Sequence, residues 1–150
     1  MEVDGQKVNL CLWDTIGQEK MRAITKLFFN DSKIVIIVYD ITNKYSFESL
    51  DYWLGQVKDS LDLDKIVIGI CGNKIDLFEI EEVSREQCKE FAEKINAQWA
   101  LTSAKENRDG FIEFLVILIR GYLKKKDVND EKNEKITIKN NNKKKKKGFC

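Results

Sequence analysis

The sequence predicts an α/β fold in which a mostly parallel sheet is covered by helices on both faces. Short β-branched runs alternate along the chain with segments whose apolar residues recur at helical spacing, and this alternation is typical of parallel sheets. The length of 150 residues is enough for one domain with a real core and too short for two. We therefore expect a single α/β domain.

The first part of the chain predicts a strand, a helix and a second strand. Residues 8–13 alternate apolar and polar side chains after an Asp4-Gly5 turn signal, so we interpret them as the second arm of a hairpin. Residues 20–29 are interpreted as a short helix. Residues 34–39 form a continuous β-branched run, which predicts a strand buried on both faces.

The central part predicts a helix, a buried strand and a further helix. Residues 46–58 carry Phe47, Leu50, Trp53, Leu54 and Val57 at helical spacing. Residues 66–70 are a second buried apolar run. Ser84 and Gln87 match a capping box, which predicts a helix that begins there and ends near residue 95.

The last part predicts a short strand at residues 98–101 and an apolar-faced helix at residues 111–123. The body, residues 1–123, is acidic, with 15 basic and 21 acidic residues. Residues 124–150 carry 11 Lys and 4 acidic residues, are rich in Asn and contain few apolar side chains. Such a composition cannot bury enough surface to fold, so we expect a disordered basic tail.

Composition also excludes several classes of protein. No apolar run approaches the ~20 residues of a membrane span, and the first ten residues contain no secretory signal. A cytoplasmic protein with reduced cysteines is expected. The chain has no histidine and no CxxC spacing, which disfavours a zinc site. Small buried side chains are the expected state of Cys11, Cys71 and Cys88.

Three predicted strands are followed by distinctive polar segments. These are DTIGQE at residues 14–19, NKID at residues 73–76 and TSAK at residues 102–105. Each alone is an ordinary surface turn. Because ligands bind beyond the carboxyl ends of parallel strands, the three in succession predict one binding site.

These segments match DxxG, NKxD and SAK, the third, fourth and fifth guanine-nucleotide motifs of the Ras superfamily. The chain resembles a Rab-type small GTPase over residues 3–123, with WDTIGQEKMRAIT resembling switch II. The resemblance implies a P-loop NTPase-like fold and a GTP/GDP switch in intracellular vesicle traffic. It also implies a cytoplasmic protein bound peripherally to the cytosolic face of endomembranes.

The resemblance assigns guanine recognition to the second and third motifs. Asp76 would accept two N–H donors from guanine, an arrangement that adenine cannot match. Asn73 would brace the loop and reach the base, and the aliphatic stem of Lys74 would lie along the ring. The Ala104 backbone N–H would meet the guanine carbonyl. The remaining residues of that loop are Ser103 and Lys105.

The first motif would serve the phosphates. Asp14 would hold Mg²⁺, most simply through water, and the Gly17 N–H would contact the γ-phosphate. Gln18 matches the family residue that orients the attacking water. Ordering of residues 15–29 by the γ-phosphate would then be the switch. Partner proteins would bind this region, where Met21, Phe28 and Phe29 either pack the switch helix or form an exposed patch.

The sequence departs from the family at the phosphate-binding loop. None of its eight glycines belongs to a GxxxxGK[ST] segment, and the switch I threonine is also absent. The family's first strand, first helix and most of its second strand would precede Met1. We therefore expect an N-terminally incomplete domain that does not hydrolyse GTP efficiently alone. The alternative is a nucleotide-free pseudo-GTPase that acts as a protein- and membrane-binding module.

The chain ends with five lysines and the sequence GFC. A lipid attached to Cys150, reinforced by lysine contacts with an anionic membrane surface, is the interpretation that the resemblance favours. The alternative is a solvated tail with an incidental cysteine. Nucleic acid is not an expected partner, because the body is acidic and the lysines are not interleaved with arginine and aromatic residues.

Overall fold

The computed structural model describes residues 1–14 and 31–146, with residues 129–146 described as helical backbone. The elements, in chain order, are β1 (Glu2–Val3), β2 (Gln6–Lys7), β3 (Ile34–Asp40), α1 (Lys44–Glu48), α2 (Leu50–Ser60), β4 (Val67–Asn73), a 3₁₀ helix (Ile75–Ile80), α3 (Arg85–Lys94), β5 (Gln98–Leu101) and α4 (Arg108–Lys146). The predicted helix at residues 20–29 lies outside this range.

The strands β3, β4 and β5 form a parallel sheet in that order. One face packs against α2 and α3 in a core that includes Ile37, Ile70, Leu54 and Cys88. The other face packs against α4 in a second core, whose buried members are Val67, Cys71, Phe114 and Leu118. The predicted parallel sheet with helices on both faces is therefore confirmed.

Local signals in the sequence explain where the helices begin. The predicted capping box of α3 is present, with the Gln87 N–H donating to Ser84 Oγ and the Ser84 N–H donating to Gln87 Oε1. The single helix predicted at residues 46–58 is instead two helices that meet at Ser49. The side chain of Asn43 caps the first of them by accepting the Ser46 N–H.

The strand β3 is less buried than predicted. Val38 in this strand is 54% exposed, although residues 34–39 were expected to be covered on both faces. The reason is that β3 lies at an edge of the sheet formed by the described strands. A continuous apolar run therefore ends up with one uncovered position.

The predicted hairpin turn is present, but the predicted strand at residues 8–13 is not. The strands β1 and β2 pair around Asp4 and Gly5, which have φ angles of 50° and 78°. A strand needs a neighbour for its backbone hydrogen bonds, and no described strand pairs with residues 9–13. Cys11 is consequently exposed, contrary to prediction, whereas Cys71 and Cys88 are buried as expected.

The structure describes α4 as helical backbone up to Lys146, beyond the predicted end of this helix at residue 123; disorder of the tail stays a prediction. No glycine or proline interrupts residues 122–147, and lysine and glutamate are good helix formers. The packed turns around Phe114 and Leu118 supply the costly nucleus from which the helix can extend. None of the helices in the described residues combines the length and apolar content needed to cross a membrane.

Candidate functional site

The carboxyl ends of β4 and β5 are joined into one edge by backbone hydrogen bonds. The Thr102 N–H donates to the Gly72 carbonyl at 2.7 Å, and the Ile75 N–H donates to the Thr102 carbonyl at 3.1 Å. Parallel pairing of β4 with β5 sets this register. The structure therefore brings the second and third predicted motifs, residues 73–76 and 102–105, into direct contact.

Asp76 and Ser103 form the most enclosed polar pair at this edge. The Ser103 hydroxyl, which is buried, donates to Asp76 Oδ1 at 2.6 Å and accepts the Glu106 N–H at 3.0 Å. The Asp76 side chain is only 8% exposed, and Lys105 Nζ lies 4.0 Å from its Oδ2. The hydrogen bond from Ser103, with the Lys105 charge, holds the pKa of Asp76 below its usual value. Asp76 is thus an ionised acceptor with capacity left on Oδ2.

Asn73 connects the two loops through its side chain. It is the last residue of β4, and its Oδ1 accepts the Ala104 backbone N–H at 3.0 Å. That N–H is the group which the resemblance assigns to the guanine carbonyl. In this structure it is oriented by, and bonded to, the Asn73 amide.

Lys74 is tied to a residue that sequence reasoning missed. Its backbone is left-handed, with φ 69° and ψ 35°, and its Nζ lies 2.5 Å from Asp40 Oδ2. The other oxygen of Asp40 accepts the Thr42 N–H at 2.9 Å and the Thr42 hydroxyl at 2.8 Å. Burial alone would raise the pKa of Asp40, but the hydrogen bonds from Lys74 and Thr42 outweigh it and lower that pKa. The sequence signal that could have identified Asp40 is its position as an acidic residue at the end of a β-branched run.

The phosphate-side residues are not brought to this edge by any described contact. Asp14 is exposed, and no residue in the described ranges forms a hydrogen bond or ion pair with it. Gly17 and Gln18 lie outside the described residues, as do the switch residues around Met21 and the terminal Cys150. No cluster of three metal-ligating side chains occurs in the part of the chain that the structure describes.

The assembled edge places hydrogen-bonding groups from both motifs side by side. Asp76 contributes an ionised carboxylate with a free oxygen, whereas the Ala104 N–H is bonded to the Asn73 amide oxygen and would become available to a ligand only if that bond were exchanged. A carboxylate accepts two parallel N–H donors, and a fixed N–H recognises a carbonyl. The resemblance assigns these same groups to the Watson–Crick edge of guanine.

Comparisons with known proteins show which family this chain is similar to. A family model described as "Ras family" matches residues 1–121. Human Ras-related protein Rab-30 is 40% identical over 107 residues, which cover 71% of this chain and 52% of the relative. Cattle (Bos taurus) Rab-26 is 35% identical over 117 residues (78% and 45%), and human Rab-21 is 38% identical over 108 residues (72% and 48%). The chain spans about half the length of the curated relatives it matches.

Proposed function

The chain belongs to the Ras family, with Rab proteins among its relatives, and we propose that it supplies the guanine-recognising part of a GTP/GDP switch in intracellular vesicle traffic. The Asp76–Ser103 pair beside the Ala104 N–H is the observation that carries this proposal. Guanine presents two neighbouring N–H donors and a carbonyl on one edge. Adenine presents no such pair, so a buried carboxylate at this place rejects it.

The phosphate side of the switch is assigned to the first motif. Asp14 would hold Mg²⁺ through water, the Gly17 N–H would contact the γ-phosphate and Gln18 would orient the attacking water. Mg²⁺, when bound, supplies positive charge to the phosphate oxygens. Effectors and regulators bind the switch II region, which includes these residues.

Residues 1–150 alone are expected to hydrolyse GTP negligibly, because the sequence contains no GxxxxGK[ST] segment. Phosphate binding in this fold depends on the amides and lysine of that loop. Single-turnover hydrolysis assays with and without Mg²⁺ check this expectation. Robust Mg²⁺-dependent turnover by this chain, abolished by Gln18→Leu, would contradict it.

The experiment that tests the switch uses the protein isolated from the membranes of the cells that make it. Its intact mass is compared with the 17.5 kDa of this chain, and its bound nucleotides are released by acid and identified by chromatography. The proposal predicts stoichiometric GDP or GTP and no adenine nucleotide. A protein that carries no guanine nucleotide, and takes up none after exchange with EDTA and excess GDP, would overturn it.

The Lys-rich end of the chain is assigned to membrane attachment. Lysines 143–147 contribute about 1 kcal/mol each near an anionic surface, and a lipid on Cys150 would supply the second anchor. Flotation with vesicles that contain phosphatidylserine tests the lysines. Binding should weaken in 0.5 M salt and on replacement of the five lysines by glutamine, while Cys150→Ser tests the lipid separately.

A nucleotide-free binding module is the second candidate, and one observation favours it. The Ala104 N–H is bonded to Asn73, and the Lys74 ammonium is paired with Asp40. The polar groups of the edge therefore satisfy one another without a base. If the isolated protein lacks nucleotide but retains a cooperative unfolding transition and its membrane partners, this candidate replaces the switch.

A further inference from the structure

Lys74 has a backbone conformation that its side chain does not favour. Among the described residues other than glycine, those with positive φ are Asp4, Asp31, Asn96 and Lys74. Aspartate and asparagine tolerate the left-handed region because their short polar side chains hydrogen-bond locally. Lysine has no such compensation, so the surrounding structure must impose this conformation.

Lys74 connects two segments that are held by different neighbours. The carbonyl of Asn73, on one side, accepts the Ile41 N–H at 3.1 Å. The N–H of Ile75, on the other side, donates to the Thr102 carbonyl at 3.1 Å. The chain must turn between these two anchors within a single residue. The direction of the Lys74 Cα–Cβ bond is consequently set by the backbone, while the rest of the side chain retains its rotamers.

The acceptor of the Lys74 ammonium is also fixed in place. Thr42 occupies one carboxylate oxygen of Asp40 with two hydrogen bonds, which leaves the other oxygen for Lys74. The Asp40 N–H donates to Ser46 Oγ at 3.0 Å, which holds the backbone of the same residue. The Asp40 side chain is 21% exposed. A partly buried, oriented carboxylate is therefore available to select one rotamer of Lys74.

We propose that Asp40 is a positioning residue of the guanine pocket, holding the Lys74 side chain in place beside the Asp76–Ser103 pair before the nucleotide arrives. This inference rests on the proposed function. A long lysine side chain loses much rotamer freedom when it is ordered against a ligand. An ion pair that orders it beforehand removes part of that loss from binding. Asp40 thus acts on the base through Lys74 and does not contact it.

The first test compares two variants with the wild-type protein, all purified intact from cells. Asp40→Asn should weaken GDP binding about five- to tenfold, because Lys74 becomes free to sample other rotamers. The matched control is Asp62→Asn, which breaks the exposed Asp62–Lys65 pair of 2.9 Å and should change the affinity less than about twofold. Equal affinities of Asp40→Asn and Asp62→Asn would overturn the inference.

Lys74→Gly separates positioning from a purely structural role. Glycine adopts positive φ without strain, so this variant should unfold at a temperature no lower than the wild type. Its GDP affinity should nevertheless fall at least as far as that of Asp40→Asn. Adding Asp40→Asn to Lys74→Gly should cause no further loss, since both changes remove one interaction. Additive losses would overturn the inference.

A measurement without nucleotide distinguishes failure of this inference from failure of the proposed function. The Ile75 N–H is protected from hydrogen exchange by its bond to the Thr102 carbonyl. It directly follows Lys74, the residue that pairs with Asp40. Hydrogen exchange at this amide should accelerate at least about threefold in Asp40→Asn and not in Asp62→Asn. If the wild type binds no guanine nucleotide but exchange accelerates in Asp40→Asn, the proposed function is refuted while the contact between Asp40 and Lys74 is supported. If exchange is unchanged in Asp40→Asn, the positioning role fails whatever binds.

Discussion

Arg120 of α4 forms a bidentate ion pair with Asp4 of the β1–β2 turn. Its Nε and Nη2 donate to both carboxylate oxygens at distances between 2.7 and 3.1 Å. Val3, beside the turn, is buried. The same helix begins at Arg108, where the side chain of Asn107 accepts the Gly110 N–H close to the proposed guanine-binding edge. One helix therefore runs from that edge to the N-terminal hairpin.

Loss of this ion pair should loosen the hairpin. Arg120→Gln is expected to accelerate hydrogen exchange at the Val8 amide, which donates to the Met1 carbonyl across the hairpin. The hydrogen bond from Arg120 lowers the pKa of Asp4 below its ordinary 3.8. The stabilisation is therefore full above that ordinary value and is lost as the pH falls through the lower pKa of the folded state. Exchange in the wild type should approach that of Arg120→Gln in this acidic range.

The control for this prediction is Arg108→Gln, which removes an arginine from the same helix. Among the described residues, Arg108 forms no ion pair, so exchange at Val8 should not change. Because both partners of the Asp4–Arg120 pair are about half exposed, added salt should reduce the difference between wild type and Arg120→Gln. If the Val8 amide exchanges at the same rate in the wild type and in Arg120→Gln near neutral pH, the Asp4–Arg120 pair does not stabilise the hairpin.

Two glycines offer a matched pair of alanine substitutions. A Cβ at Gly72 would lie 2.6 Å from Leu101 Cδ2 and 2.7 Å from the Tyr39 hydroxyl. Gly72→Ala should therefore lower the free energy of unfolding by about 1–3 kcal/mol through overpacking. A Cβ at Gly55, inside α2, would meet nothing within 4 Å, so Gly55→Ala should raise it by about 0.5–1 kcal/mol. Urea denaturation measures both, and a Gly72→Ala as stable as wild type would contradict the packing described.

The buried hydroxyl of Tyr39 is expected to cost stability. Among the described residues it forms no hydrogen bond of good geometry; its neighbours are the weakly polar Cys88 thiol and the Phe47 ring, which packs edge-on with the ring centroids 5.0 Å apart. Tyr39→Phe keeps the ring and removes the hydroxyl, so the free energy of unfolding at pH 7 should be unchanged or about 1 kcal/mol higher. Thermal unfolding measures this directly. A loss of more than about 1 kcal/mol would reveal a bond that the structure does not contain.

The same residue predicts a loss of stability in alkali. Burial, with a smaller contribution from Cys88, raises the pKa of Tyr39 well above its ordinary 10.0. The unfolded chain therefore ionises first, and folded stability declines as the pH rises above about 10. The decline should be shallower in Tyr39→Phe. It should not vanish, because burial raises the pKa of the Cys71 and Cys88 thiols as well.

Much of the sheet and its helices could be predicted because local pattern and tertiary packing agree. The β-branched runs became β3 and β4, and Ser84 with Gln87 capped α3 as expected. The strand predicted at residues 8–13 is absent, because an alternating pattern does not by itself supply a neighbouring strand with which to pair. The extension of α4 beyond residue 123 was not predicted, because low apolar content argues against packing but not against a helix that is already nucleated elsewhere.

The residue types of the candidate site could be predicted at the strand ends, but the hydrogen bonds and ion pairs between them could not. The spacing indicated that residues 73–76 and 102–105 share an edge. It could not show that Asn73 holds the Ala104 N–H, nor that Asp40 holds Lys74. Those contacts depend on the parallel register of β3 with β4, in which Asp40 is the partner of Asn73.

The most direct test of guanine recognition is the base preference of Asp76→Asn. Asparagine replaces one acceptor by a donor, so the variant should prefer xanthine, whose C2 carbonyl replaces the guanine amino group. Competition of GDP against XDP for the intact protein should shift by roughly a thousandfold toward XDP, and Asp62→Asn should leave the preference for GDP unchanged. If Asp76→Asn keeps the wild-type preference for GDP over XDP, the edge formed by Asp76, Ser103 and Ala104 does not read guanine.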